Sequence, residues 1–257
     1  MKVLLPSKGV LGTKFVNLKP VTFADIRNVQ FLNQEEELLK AQFTTSLIND
    51  VDLNKITKMD LDYLFTILAM QTQLNSVGFN YTCSCGESHN STIIFGGQDL
   101  IEIPSKTKFP HVVNVRGTKM SYNILSAQQH IEACEYALQQ DDFKSAYEDA
   151  CVTFIFGKTI NEIEWTKQLD ISTFMSALLF QNVMFHGVKL TKTERCPKCG
   201  KLNEVTINPT TEMIKIDTNV LIGQYINVSS LLDFDNFLKI TIPEFTTFRE
   251  AIDAQNL

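Results

Sequence analysis

Cys83-Ser84-Cys85-Gly86 and Cys196-Pro197-Lys198-Cys199-Gly200 are two short clusters that hold four of the six cysteines of this chain. Each follows a turn-rich stretch and precedes a run of β character, Thr92-Ile93-Ile94-Phe95 after the first and Val205-Thr206-Ile207 after the second. This is the pattern of a zinc knuckle, a tight turn that points two thiolates at one metal. A structural zinc takes four nitrogen or sulfur ligands in a tetrahedron, and two knuckles together supply them. The second cluster is the stronger signal, because C-P-x-C-G sets both sulfurs on one turn and places glycine where a positive φ is wanted. The first, C-x-C-G, is one residue shorter and says less.

Other uses of these cysteines fit less well. No signal peptide opens the chain and six cysteines are dilute in 257 residues, so a disulfide framework is not expected. A redox C-x-x-C needs a strand-to-helix setting, whereas Cys196–Cys199 leads into a strand. His89, four residues past Cys85, is either a ligand in a Cys2His variant or a polar residue of the knuckle loop. Cys134 and Cys151 fall in helical patterns and read as small buried hydrophobes.

The order of elements repeats. Val16-Asn17-Leu18-Lys19 reads as a short strand, Thr22-Phe23-Ala24-Asp25 opens a helix, and Asn33–Lys40 begins another with a Glu-rich first turn. The second half offers Val113–Arg116 as a strand, then helices over 125–138 and 141–156. Asp60–Gln71 and Asp170–Gln181 are both apolar-periodic helices with Asp expected at the N-cap, and each is followed by a glycine, Gly78 or Gly187. A strand, the cysteines and further strand-like runs follow, ending in Ile101–Ile103 and Ile214–Ile216.

The expectation is an α+β fold of two similar helical modules, 1–108 and 109–220, each with a β-hairpin zinc knuckle, plus a C-terminal helical extension over 221–257. Neither half holds four plausible ligands. One structural zinc per chain, shared by Cys83, Cys85, Cys196 and Cys199, is therefore expected, with two separate sites as the alternative. In the extension, Phe234, Phe237, Phe245 and Phe248 recur at helical spacing and are candidate partner-binding residues.

Composition narrows the function. A hydrophobic content of 44% is enough for a real core, and a net charge of −6 with a pI near 5.3 argues against a binder of nucleic-acid phosphates. No apolar run is long enough to span a membrane. A soluble protein made in a reducing cytosol is expected. There is no phosphate loop, no G-x-G-x-x-G, no H-E-x-x-H and no G-x-S-x-G, and only four histidines. His186 reads as a helix C-terminal partner and not as a base. Four cysteines would close a metal site that catalysis needs open. The chain is not expected to be an enzyme.

Leu4-Leu5-Pro6-Ser7-Lys8-Gly9-Val10 and Val16-Asn17-Leu18-Lys19-Pro20-Val21-Thr22 resemble the opening of the T4-type bacteriophage base plate protein family, whose members tend to begin with an lPSkG segment and a v-x-l-x-P-x-T strand and helix. The resemblance continues through Asp60–Gln71 into the first knuckle and Asp170–Gln181 into the second, covering most of 1–216 by scattered short motifs. It departs at the C-x-C, where C-x-x-C is more usual, and nothing after Leu221 matches. The resemblance implies a baseplate hub component or hub assembly factor of a contractile tail. Such a protein binds tail or hub proteins, the tape-measure protein among the candidates, in the host cytoplasm during assembly, with the virion baseplate as a second location. The alternative is a zinc-ribbon module in phage transcription or replication, and a metallohydrolase comes third.

Overall fold

The computed structural model describes residues 1–30, 35–72, 76–94, 100–104, 106–207 and 210–214. In chain order these form β1 (Lys2–Leu4), β2 (Phe15–Leu18), α1 (Phe23–Gln30), α2 (Glu36–Ser46), β3 (Ile48–Asn49), α3 (Lys58–Thr72), β4 (Ser76–Thr82), β5 (Ser88–Ile94), β6 (Leu100–Ile101), β7 (His111–Val115), β8 (Thr118–Tyr122), α4 (Ala127–Ala137), α5 (Phe143–Ile155), α6 (Ile171–Val183), β9 (Gly187–Val188), β10 (Leu190–Arg195) and β11 (Leu202–Ile207). Short 3-10 segments lie at Leu53–Lys55, Ile160–Gln168 and Thr211–Ile214. Among the described residues, helices are mixed with small antiparallel sheets. Among the described residues no helix is long and apolar enough to cross a membrane.

The chain divides into two compact units, each assembled from separated segments. One comprises Met1–Leu18, Glu35–Leu64 and Asp99–Val188, within their described residues. Its first sheet has the order β1-β2-β3, with Val3 opposite Val16 and Leu18 opposite Ile48. Its main core gathers Tyr122, Leu125, Ala133, Ala150, Val152, Phe154, Ile155, Ala177 and Phe180 from β8, the link between β8 and α4, and α4, α5 and α6. The starts of these helices are written locally. Ser126 and Gln129 form a reciprocal capping box at α4, Asp142 accepts from the Ser145 N–H at α5, and Asp170 accepts from the N–H groups of Ser172 and Thr173 at α6. Cys134 and Cys151 are buried here, as core cysteines should be.

The other unit comprises the described residues of Lys19–Gln34, Phe65–Gln98 and Lys189–Leu257. It contains α1, whose Thr22 and Asp25 side chains cap each other's backbone, and two antiparallel hairpins, β4-β5 and β10-β11. Register runs from Thr82 opposite Ser88 to Ser76 opposite Ile94 in the first, and from Arg195 opposite Leu202 to Leu190 opposite Ile207 in the second. Each hairpin turns at its cysteines.

Several local expectations change. Asp60 is not the N-cap of α3. It sits at the third helical position, accepts from the Thr57 N–H at 3.1 Å and from the Ser7 N–H at 3.0 Å, while Thr57 Oγ1 accepts from the Asp60 N–H. Gly78 lies inside β4 and not at a helix end. Ile214 closes a 3-10 segment and not a strand. His186 is buried, with Nδ1 2.9 Å from the Met184 carbonyl and Nε2 2.6 Å from Thr57 Oγ1, so its place is a core hydrogen-bond network. α2 begins behind Glu35, whose side chain makes no capping bond, with Glu36 and Glu37 in its first turn. The helical extension over 221–257, with Phe234, Phe237, Phe245 and Phe248, lies outside the described residues.

Candidate metal centre

The two knuckles solve the same problem with loops of different length. In the first, the Gly86 N–H donates to the Cys83 carbonyl at 2.8 Å and the Cys83 N–H to the Glu87 carbonyl at 2.8 Å. In the second, the Gly200 N–H donates to the Cys196 carbonyl at 2.9 Å and the Cys196 N–H to the Lys201 carbonyl at 2.9 Å. Both turns therefore close on the carbonyl of their first cysteine, one over three residues and the other over four. Both glycines carry the positive φ that this closure demands, 89° at Gly86 and 73° at Gly200. The missing residue of C-x-C is absorbed by the tighter turn. In each pair the first cysteine is buried and the second exposed.

All four sulfurs lie within 4.8 Å of one another, with Cys83 3.7 Å from Cys199 and Cys85 3.7 Å from Cys196. A tetrahedral ion with zinc–sulfur bonds of about 2.3 Å sets its sulfurs about 3.8 Å apart, so the cluster has the spacing that such an ion needs. Disulfide bonding, at about 2.05 Å, does not describe these pairs. The four cysteines can hold a metal such as zinc.

Backbone dipoles favour thiolates at two of the sulfurs. Cys83 is held below the ordinary thiol range chiefly by the Cys85 N–H, with side-chain bonds including one from Asn203 assisting. Cys196 is lowered to about 6, first by the Cys199 N–H and then by that of Lys198 and by His89. At Cys85 the Glu87 N–H works the same way, but desolvation and the neighbouring sulfurs prevail and push the thiol up to about 11. Four mutually close thiolates cannot all persist without a cation among them.

His89 Nε2 stands 3.2 Å from Cys196 Sγ, with its ring 5.4 Å from that of Tyr81. At that distance the imidazole is a hydrogen-bond partner of the Cys196 sulfur, in the position from which outer groups orient metal ligands. Among the described residues, the cluster that fits a metal comprises Cys83, Cys85, Cys196 and Cys199. Around the knuckles, Lys201 Nζ donates to Ser84 Oγ at 2.8 Å, Lys192 Nζ to the Thr92 carbonyl at 2.7 Å, and Arg195 to the Gly200 carbonyl at 3.0 Å. Lys198 pairs with Glu87, and Ser91 donates to Glu194.

A second polar cluster, in the other unit, was not singled out by the sequence. His130 is buried, with Nδ1 2.9 Å from the Tyr147 hydroxyl and Nε2 4.0 Å from Glu37. Burial, helped by the Lys58 ammonium, lowers its pKa to about 4. Burial also pushes Cys151 up to about 12. A neutral imidazole among protonated thiols is a structural arrangement. No pattern of spacing announces it, because it depends on how α4 packs against α5.

Comparison with protein-family models, with characterised proteins and with solved structures finds no match for this chain. The reading of the centre rests on its own geometry.

Proposed function

We propose that the chain is a non-enzymatic phage tail protein, a baseplate hub component or hub assembly factor, built around one structural zinc held by Cys83, Cys85, Cys196 and Cys199. The observation that carries the non-catalytic reading is the four-sulfur set. Four thiolates at tetrahedral spacing complete a zinc coordination sphere and leave no position for substrate or water. The resemblance of the lPSkG opening and of the helix-to-knuckle segments supports the tail assignment. The shared order of helix, hairpin and cysteine turn supports descent of 1–108 and 109–220 from one duplicated module.

The work of such a protein is binding to a tail, hub or tape-measure protein in the host cytoplasm, through Phe234, Phe237, Phe245 and Phe248. Nucleic-acid binding is disfavoured, because Lys192 and Lys198 beside the knuckles are paired with Glu194 and Glu87. Affinity capture of the tagged chain from infected cells, with and without Glu at the four phenylalanines, tests the reading. Capture of a tail protein by the wild type and its loss in the variant, at unchanged zinc content and melting, is the expected result. Normal tail assembly after deletion of the gene would overturn it.

A further inference from the structure

Helix α6 carries Ile171, Met175, Leu179 and Val183 at successive fourth positions, and they are 74%, 44%, 55% and 79% exposed. Positions four apart form one ridge along a helix, here spanning about 18 Å. The opposite side is fixed: Thr173, Ala177 and Phe180 are buried, and Phe174 and Leu178 pack against the core of the same unit. The outward ridge is therefore not a core face awaiting rotation. The helix also lacks charge. Ile171–Val183 reads ISTFMSALLFQNV, without one Asp, Glu, Lys or Arg. Surface helices place charged residues on the outward face, and one that is apolar all round is ordinarily enclosed on every side.

We infer that this ridge is the contact through which two copies of the chain associate, α6 against α6 about a two-fold axis. Three features favour a second copy as the occupant. First, a ridge of fourth-position side chains packs into the grooves of an identical ridge at a crossing angle of about −50°, so the surface complements itself. A two-fold axis offset from the Met175–Leu179 step lets the ridge of each copy lie in the adjoining groove of the other. Second, the ridge is electrically silent. Two chains of net charge −6 repel at long range, yet meet here without a like-charge contact, and the antiparallel helices set each positive N-terminal end near a negative C-terminal end. Third, the area is sufficient. Four side chains exposed to this degree offer at most about 450 Å² per copy and about 900 Å² in a pair, the size of a weak, transient interface and more than a solitary surface residue would explain.

The contact belongs to the unit that does not hold the four clustered cysteines and does not depend on the tail-assembly reading. An interface of this size predicts a reversible dimer, populated in the micromolar range. Sedimentation equilibrium of the full zinc-loaded chain from about 1 to about 100 μM tests it. The expected result is a mass that rises from monomer to dimer, with association strengthened by salt that screens the net charge. Leu179→Glu and Val183→Glu, both at exposed positions, should each weaken association at least tenfold while the far-ultraviolet spectrum and zinc content stay at wild-type values. A wild type that remains monomeric throughout overturns the proposal and leaves the ridge to a different protein or to another segment of this chain. So does a dimer that neither substitution weakens.

Discussion

Stripping the metal should undo the two knuckle turns before anything else in the chain. Among the described residues, what joins β4-β5 to β10-β11, apart from the cysteines and His89 beside Cys196, is a handful of polar contacts at or near the surface: Lys198 with Glu87, Lys201 with Ser84, Ser91 with Glu194, and Lys192 with Ser91 and the Thr92 carbonyl. Exposed pairs of this kind contribute ~0–1 kcal/mol each, so together they supply roughly 2 kcal/mol. A structural zinc supplies ~10–16 kcal/mol in small metal-folded peptides. The metal dominates several-fold. Buried Ile93 and Leu190 stand toward the far ends of their hairpins, opposite Val77 and Ile207, so they hold the ends away from the turns. Hydrogen exchange read amide by amide is the assay. On chelation, the N–H groups of Cys83, Gly86, Cys196 and Gly200, which close the turns, should exchange at least ~1,000-fold faster, the equivalent of about 4 kcal/mol. Amides near Ile93 and Leu190 should change far less. Equal protection of the turns with and without metal would show that the polar contacts and local turn chemistry suffice, and the reasoning would fail.

Two further outcomes follow from titration. Zinc uptake by the metal-free protein at pH 7 should release protons, Cys85 contributing because its thiol is pushed up to about 11 and must ionise to bind; an indicator dye measures this, and uptake without proton release would exclude Cys85 as a ligand. His130 is held neutral in the fold to about pH 4 but protonates near 6.5 once unfolded, so the unfolded state binds the extra proton between those values. Its stabilising contribution is complete above pH 6.5 and lost as pH falls toward 4, amounting to about 3 kcal/mol. Urea unfolding of wild type and His130→Gln across that range should give profiles that converge in acid by this amount, and parallel profiles would refute the assignment.

The knuckles were legible because their chemistry is local. A glycine after the second cysteine marks the positive φ, and the strand-forming residues after it mark the return of the hairpin. The cap at Asp170 is equally local, since a short polar side chain meets an N–H group two or three residues on; Ser126 and Asp142 cap by the same rule, one residue inside the expected helix starts at 125 and 141. Asp60 misled because the same residue type serves at the cap and at the third position. Its choice was made by Thr57 before it and by Ser7, 53 positions away. Gly78 reads as a helix terminator only if the preceding helix reaches it, and α3 stops at Thr72. The burial of His130 and His186, and the outward turn of the α6 ridge, depend on which segments pack together. The composition of the two units from separated stretches depends on the same thing, and no window of sequence carries it.

The division of labour between the two turns would explain why a metal held here is shared. A turn of the C-x-C-G or C-x-x-C-G kind presents two sulfurs and then commits its glycine and the following residue to closing the hairpin, so one turn cannot complete a tetrahedron. A two-stranded hairpin alone is marginal in water. Each knuckle thus lacks both the ligands to hold an ion and the packing to hold itself. Meeting the other remedies both deficits at once. Cys85 and Cys196 are 111 positions apart, and the chain between them leaves the metal-bearing unit after Gln98 and returns at Lys189. Loop-closure entropy grows only with the logarithm of loop length, so the excursion costs little more than a short one, and the folding of Asp99–Val188 with Met1–Leu18 and Glu35–Leu64 into the other unit shortens it further. An ion at the four sulfurs would then act as a fastener for a discontinuous unit. That role calls for a filled coordination sphere, whereas catalysis needs one ligand position open.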